Sequence, residues 1–298
     1  MRATMSYYKS LGFQKEPFST SPDPDFFYLS KEHEAALTNV LIDLRLKRGM
    51  SVILGDIGTG KTTLSRKLIQ ELKNRDDCVF HMVLDPYYQN PVEFMSAFTR
   101  NFGVVPTVQE QGISTLIDMR EAFERYLFKK AAVEGKTVIL IVDEAQKLTN
   151  DCMEVLRVLL NYETNEFKLL QVVLLGQLEL QSKITDVPNF FDRISYKGRL
   201  GPLDFEEMKA MIFFRMKQAG YHVEMHIFLE EALDAIHKHT GGYPRRVTML
   251  CHRALKELLM RNKFVVDAEL IDKLVEEDAK GGWQRTNNHQ LQKSNYSS

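Results

Sequence analysis

The stretch Gly55-Asp56-Ile57-Gly58-Thr59-Gly60-Lys61-Thr62 decides how this chain is read. It satisfies the pattern G-x-x-x-x-G-K-[ST] and stands where that pattern has a mechanism, after the apolar run 51–54 and before a helically spaced segment, 61–73. Glycines at 55, 58 and 60 let the backbone curl until successive N–H groups converge on phosphate oxygens, and the following helix adds its positive end. Lys61 reaches the β and γ phosphates of a nucleoside triphosphate. Thr62 offers its hydroxyl to Mg²⁺, and Thr63 touches the α-phosphate. Residues 55–63 are therefore the expected binding set, including Asp56, Ile57 and Thr59 between the glycines, with ATP and Mg²⁺ as the expected ligands.

Downstream, Val138-Ile139-Leu140-Ile141-Val142 is an unbroken apolar run with the length of a buried strand. It ends in Asp143-Glu144-Ala145-Gln146. Carboxyl ends of strands border the ligand crevice in open α/β sheets. Asp143 is thus expected to hold Mg²⁺ opposite Thr62, and Glu144 to position or deprotonate the attacking water. A further strand candidate, 170–175, leads into Gly176-Gln177, which makes the Gln177 amide the expected contact for that water or the γ-phosphate.

Two arginines are candidates for a finger inserted into a neighbouring subunit's site: Arg193, after Asn189-Phe190-Phe191-Asp192, and Arg199, of which Arg193 is preferred. Gly241-Gly242-Tyr243-Pro244-Arg245 sets a turn before a helix. Arg245, or Arg246 beside it, is expected to reach back to the phosphates across a domain cleft.

The rest of the chain supplies the scaffold. Strand candidates at 51–54, 78–84, 137–142, 170–175 and 194–200 alternate with helix candidates at 31–48, 61–73, 91–102, 114–132 and 151–162. That alternation predicts an α/β fold, a parallel sheet sandwiched by helices. Beyond Pro202 only helical spacing persists, at 205–219, 229–240, 245–261 and 268–278, which predicts a small all-helical lid domain. The expected organisation is an aromatic and proline-rich strap over 1–30, ordered but not helical, a nucleotide-binding domain over 31–203, a lid over 204–280 and a disordered polar tail over 281–298.

Among 298 residues, 39 Lys and Arg nearly cancel 40 Asp and Glu, so no global positive field points to nucleic acid. The local basic stretches considered for a nucleic-acid channel are Arg45-Leu46-Lys47-Arg48, Lys129-Lys130 and Arg245-Arg246. Cys78, Cys152 and Cys251 are far apart in apolar surroundings, as reduced core thiols would be, which argues against a disulfide framework or a zinc site. No run has signal-peptide or membrane-span length. The expected location is the cytoplasm, with the inner membrane reached only through a partner.

Taken in order, Pro17-Phe18, Pro22-Asp23-Pro24, Tyr28-Leu29-Ser30, GDIGTGKTT, VDEAQ, LRVLLNYETNEFKLLQVVLLGQLEL, RLGPL and GGYPRRV resemble the secretion-associated AAA+ ATPases. That family is typified by general secretion pathway protein A, and the chain looks especially like its short relatives encoded with exosortase or pilus systems. The resemblance runs from about residue 7 to about 278. It implies a P-loop NTPase core with a helical lid, ATP and Mg²⁺, nucleotide-dependent assembly into a ring or dimer, and a partner in secretion or envelope assembly. It also implies that the N-terminal strap helps enclose adenine; plain packing on the core is the other reading of those aromatics.

Three departures stand out. Longer members continue into a membrane span and a peptidoglycan-binding domain that this sequence is not expected to carry. Leu178 replaces the proline of the usual Gly-Gln-Pro-Glu-Leu, and Asp56 stands where glutamate is usual. A different class of function is a DNA-binding transposition regulator of the Mu B type, which shares the loop, acidic pair and lid but needs a basic channel. A third is a nucleotide-gated scaffold without turnover, against which Glu144 argues.

Overall fold

The computed structural model describes residues 7–21, 23–106, 115–187, 189–221 and 227–280. By packing, the chain divides into two compact units, Ser21–Pro202 and the pair of segments Met1–Thr20 and Leu203–Ser298.

The Ser21–Pro202 unit is built on five strands, β1 Met50–Gly55, β2 Cys78–Val83, β3 Thr137–Val142, β4 Leu170–Gly176 and β5 Ile194–Leu200. They form one parallel sheet in the order β2-β3-β4-β1-β5. Every residue of β3 and β4 is buried, which is why those strands show the apolar runs 138–142 and 172–175 rather than an alternation. The side-chain period of two divides them between two layers. Val138, Leu140, Val142, Val172 and Leu174 meet Phe94, Phe98 and Phe123 on one face. Ile139, Ile141, Val173 and Leu175 meet Val40, Leu44, Leu64 and Leu68 on the other. Helices Lys31–Arg45, Lys61–Leu72, Pro91–Asn101, Leu116–Leu127 and Asn150–Leu159 supply those layers.

The differences from the sequence reading have local causes. The segment expected to be one helix over 114–132 is α-helical over Leu116–Leu127, started by a Thr115–Asp118 capping box, and then widens into a π-helical stretch, Phe128–Val133. Residue 114 lies outside the described residues. A helix at Glu179–Asp186 went unread because it buries only Leu180 and Ile184, too little for a visible period. The helix begun at Lys31 stops at Arg45, and Lys47 (φ 51°) and Gly49 (φ 105°) then turn left-handed into β1. Cys152 and Cys251 are buried, but Cys78 is half-buried, so it is not a core thiol; burial and Asp77 beside it push its pKa up to about 11.

The second unit contains helices Phe205–Gln218, Glu230–Thr240, Pro244–Met260 and Ala268–Lys280. The N-terminal residues belong with them. Phe13 stacks on Tyr221 at 4.9 Å, the fully buried Phe18 meets Phe228 edge-on, and Arg215 donates to the carbonyls of Pro17 (2.9 Å) and Ser19 (2.7 Å). The strap expected over 1–30 is thus divided between the units at residue 20, and its first described residues form a short helix, Tyr7–Ser10, where a loop was expected. The tail expected to be disordered over 281–298 lies outside the described residues. Among the described residues, no helix is long and apolar enough to cross a membrane.

Candidate nucleotide-binding site

Because β4 lies between β1 and β3, the segments leaving these three strands sit side by side at the carboxyl edge of the sheet. The loop after β1 needs its glycines for separate reasons. Gly58 (φ 86°) and Gly60 (φ 100°) occupy left-handed backbone. Gly55 is extended, but a Cβ there would lie 2.7 Å from Thr59 Oγ1 and 2.9 Å from the Leu200 carbonyl oxygen. The buried Thr59 tightens the turn by donating its hydroxyl to the Asp56 carbonyl at 2.9 Å.

Lys61, the first residue of the following helix, is 5% exposed. Its Nζ donates to the carbonyls of Gly55 (2.8 Å) and Asp56 (2.9 Å). Burial lowers its pKa, and the carboxylates of Glu144, Asp143 and Asp56 pull it back. Across from it Asp143 is 1% exposed, so desolvation pushes its pKa up against hydrogen bonds from the Thr62 hydroxyl and from the Glu144 N–H at 3.0 Å. The loop and the tip of β3 therefore meet through the side chains of Thr62 and Asp143. A hydroxyl touching a buried carboxylate is a hard-oxygen pair whose desolvated negative charge is suited to a small divalent cation, so the donor set fits Mg²⁺.

Glu144 has φ 52°, left-handed for a non-glycine residue, a conformation that costs about 1–3 kcal/mol and persists only where neighbours enforce it. Its Oε2 accepts from Gln146 Nε2 at 2.6 Å and from Gln177 Nε2 at 3.4 Å. Gln177 also gives its backbone N–H to Gln146 Oε1 at 3.0 Å. Gln146 had no role in the sequence reading although it ends the quoted acidic block. The signal available was a polar side chain two residues from Glu144, immediately after a strand tip.

His33 was also missed. It is 2% exposed, with Nε2 2.8 Å from the Thr59 carbonyl and Nδ1 2.6 Å from Ser30 Oγ. A carbonyl can only accept, so Nε2 carries the proton and Nδ1 accepts from the Ser30 hydroxyl. Its ring backs the loop so closely that a Cβ on Gly60 would lie 2.8 Å from Nε2. The visible clue was a histidine just inside a Ser-capped helix.

The two arginine candidates occupy opposite ends of β5. Arg199 is exposed and pairs with Leu54, beside the phosphate loop. Arg193 is half-buried and precedes Ile194, which pairs with Met50 at the amino end of the sheet, roughly 20 Å away along the strand. A cavity of about 470 Å³ opens there, lined by Arg193, Arg48, Lys168 and Asp192 among others. The structure thus does not bring Arg193 to its own chain's loop. Arg245 and Arg246 belong to the other unit and are exposed in the first turn of Pro244–Met260, where the Arg246 guanidinium lies 4.5 Å from the Tyr243 ring centroid. Of the basic stretches, Lys47 donates to the Gly135 carbonyl at 3.3 Å and covers the Phe167 ring, while Lys130 pairs with Glu134 at 2.7 Å.

A family described as AAA domain matches residues 44–184, which contain the loop, the acidic pair and Gln177. General secretion pathway protein A of Aeromonas hydrophila is 35% identical over 251 residues, covering 84% of this chain and 44% of that protein. The chain therefore spans less than half the length of this relative. Among solved structures, the ORC2 protein of Aeropyrum pernix aligns with TM-score 0.61 at 18% identity, covering 89% of this chain and 72% of that one. Drosophila ORC bound to DNA aligns with TM-score 0.64 at 16% identity, covering 92% and 66%. At such identities these two show a shared fold alone. With its sheet order, its phosphate loop and its long similarity to general secretion pathway protein A, the chain has the P-loop AAA fold and resembles that secretion protein over most of its own length.

Proposed function

We propose that this chain binds ATP with Mg²⁺ and hydrolyses it, and that the cycle drives or times assembly of a secretion or cell-envelope system. The observation that carries the enzymatic part is the contact between Thr62 of the loop and the buried Asp143 of β3, with Lys61 beside them. In this reading Lys61 exchanges its bonds to the Gly55 and Asp56 carbonyls for phosphate oxygens, and the N–H groups of residues 55–63 enclose the phosphates. Thr62 and Asp143 would hold Mg²⁺, which when bound neutralises charge on the phosphate oxygens. Glu144 aligns the water and takes its proton as the water oxygen bonds to the γ-phosphorus and the bond to the β-phosphate oxygen breaks. Gln177 contacts the γ-phosphate or the water.

Arg193 serves the site of a second copy in a nucleotide-dependent homo-oligomer, with Arg199 as the alternative. Arg245, or Arg246 beside it, couples the helical unit to the phosphates, and the domain division follows from that, a nucleotide-binding domain and a lid. The secretion role rests on the similarity to general secretion pathway protein A, and its partner would be an envelope protein of an exosortase or pilus type of system. The proposed location is the cytoplasm, with the inner membrane reached only through that partner.

DNA as a partner finds little support in the balanced charge or in Lys47 and Lys130, both engaged within the unit. The deciding experiment is the ATP turnover of the purified chain with and without duplex DNA across a salt series. Turnover indifferent to DNA is expected. Stimulation that falls steeply with salt, as counterion release requires, would transfer the chain to the DNA-binding class, and absence of turnover with ATP bound would make it a scaffold.

A further inference from the structure

We infer that Gln146 is a positioning residue for hydrolysis: its amide fastens the Glu144 carboxylate to the tip of β4, so that Gln177 can leave Glu144 for a phosphate without the carboxylate losing its orientation. The inference rests on the proposed ATPase reaction.

Four observations converge on it. Gln146 is 7% exposed, and both ends of its amide are used, Nε2 on Glu144 Oε2 at 2.6 Å and Oε1 on the Gln177 N–H at 3.0 Å. One side chain therefore connects the strand that carries the acidic pair with the strand that carries the phosphate contact. Its own backbone is anchored in turn, because Lys183 Nζ donates to the carbonyls of Gln146 and Leu148, tying the Ala145–Lys147 turn to the Glu179–Asp186 helix. The β4 tip is shaped to admit the amide: a Cβ on Gly176 would lie 3.1 Å from Gln146 Oε1 and 2.6 Å from Leu180 Cδ2.

The two amides that reach Glu144 are unequal. The Gln146 bond is short and charge-assisted, whereas the Gln177 bond is 3.4 Å and weak. A phosphate oxygen competing for Gln177 Nε2 therefore takes the weaker bond and leaves the stronger. Both bonds go to Oε2, which leaves Oε1 for the water. Neutral and without a titratable proton, the amide can hold the carboxylate without competing for the proton that Glu144 receives.

The test compares Gln146→Leu, similar in size and unable to hydrogen-bond, with the wild-type chain by equilibrium ATP binding and by kcat and KM. Expected are an ATP affinity within about threefold of wild type and a kcat lowered by about 10- to 100-fold, the range of one hydrogen bond to a charged group. In a Glu144→Gln background, single-turnover rates should show no further loss, because Gln146 acts only through that carboxylate. Gln146→Asn, which keeps an amide too short to span both partners, should show the same split at smaller size and serves if the leucine variant does not fold. A wild-type kcat in either variant overturns the inference, as does a loss that appears equally in affinity, or one that adds in full to Glu144→Gln. If Glu144→Gln alone hydrolyses ATP normally, it is the role of Glu144 in the proposed function that fails.

Discussion

Replacing Gly60 by alanine isolates the support that His33 gives the phosphate loop. At φ 100° an L-residue is strained by about 1–2 kcal/mol. The new Cβ would also lie 2.8 Å from His33 Nε2, closer than real contacts allow. The ring has no easy retreat: it is 2% exposed and held between Ser30 Oγ and the Thr59 carbonyl. Pushing it aside breaks the 2.8 Å bond to that carbonyl, and a buried group left unpaired costs about 1–3 kcal/mol. Together the loop geometry is penalised by about 2–5 kcal/mol, which lowers ATP affinity by about 30-fold or more. The assay is equilibrium titration with a fluorescent ATP analogue, with circular dichroism to verify the fold. In a His33→Ala background the clash is gone and only the strain remains, so Gly60→Ala should then cost only about 5- to 30-fold. An affinity for Gly60→Ala within about twofold of wild type would refute the reasoning, as would an equal cost in both backgrounds.

Three other outcomes are expected. Lys61→Ala should lose ATP binding by at least about 100-fold in the same titration, since it removes a buried cation aimed at the loop. Arg193→Ala should leave ATP affinity nearly unchanged and lower steady-state turnover by about 1000-fold, the lower range for an arginine finger; normal turnover would transfer that role to Arg199. Gly242→Ala places a Cβ 2.0 Å from the Leu203 carbonyl oxygen at φ 74° and should cost about 3–5 kcal/mol in denaturant unfolding, whereas Gly12→Ala, at φ 86° with nothing within 4 Å, should cost about 1–2 kcal/mol.

Which parts were legible in the sequence depends on how far apart the interacting residues lie. The loop was legible because its glycines, lysine and threonine act within eight residues between a strand and a helix. β3 and β4 were legible because burial on both faces leaves the apolar runs Val138–Val142 and Val172–Leu175. The division of the N-terminal strap was not, since Phe13 and Phe18 pack on Tyr221 and Phe228, about two hundred positions away, and no local pattern records such a contact. His33 is explained only by a carbonyl 26 residues on, and Gln146 by a backbone N–H 31 residues on. Arg193 was preferred to Arg199 without sight of the register of β5 on β1, a tertiary fact that puts the two at opposite ends of the sheet.

The most direct test of a shared site for loop and acidic pair is release of inorganic phosphate from ATP by the Glu144→Gln variant, measured beside its bound ATP. The account predicts ATP bound with wild-type affinity and phosphate release slowed by at least about 100-fold. Phosphate released at the wild-type rate would contradict it.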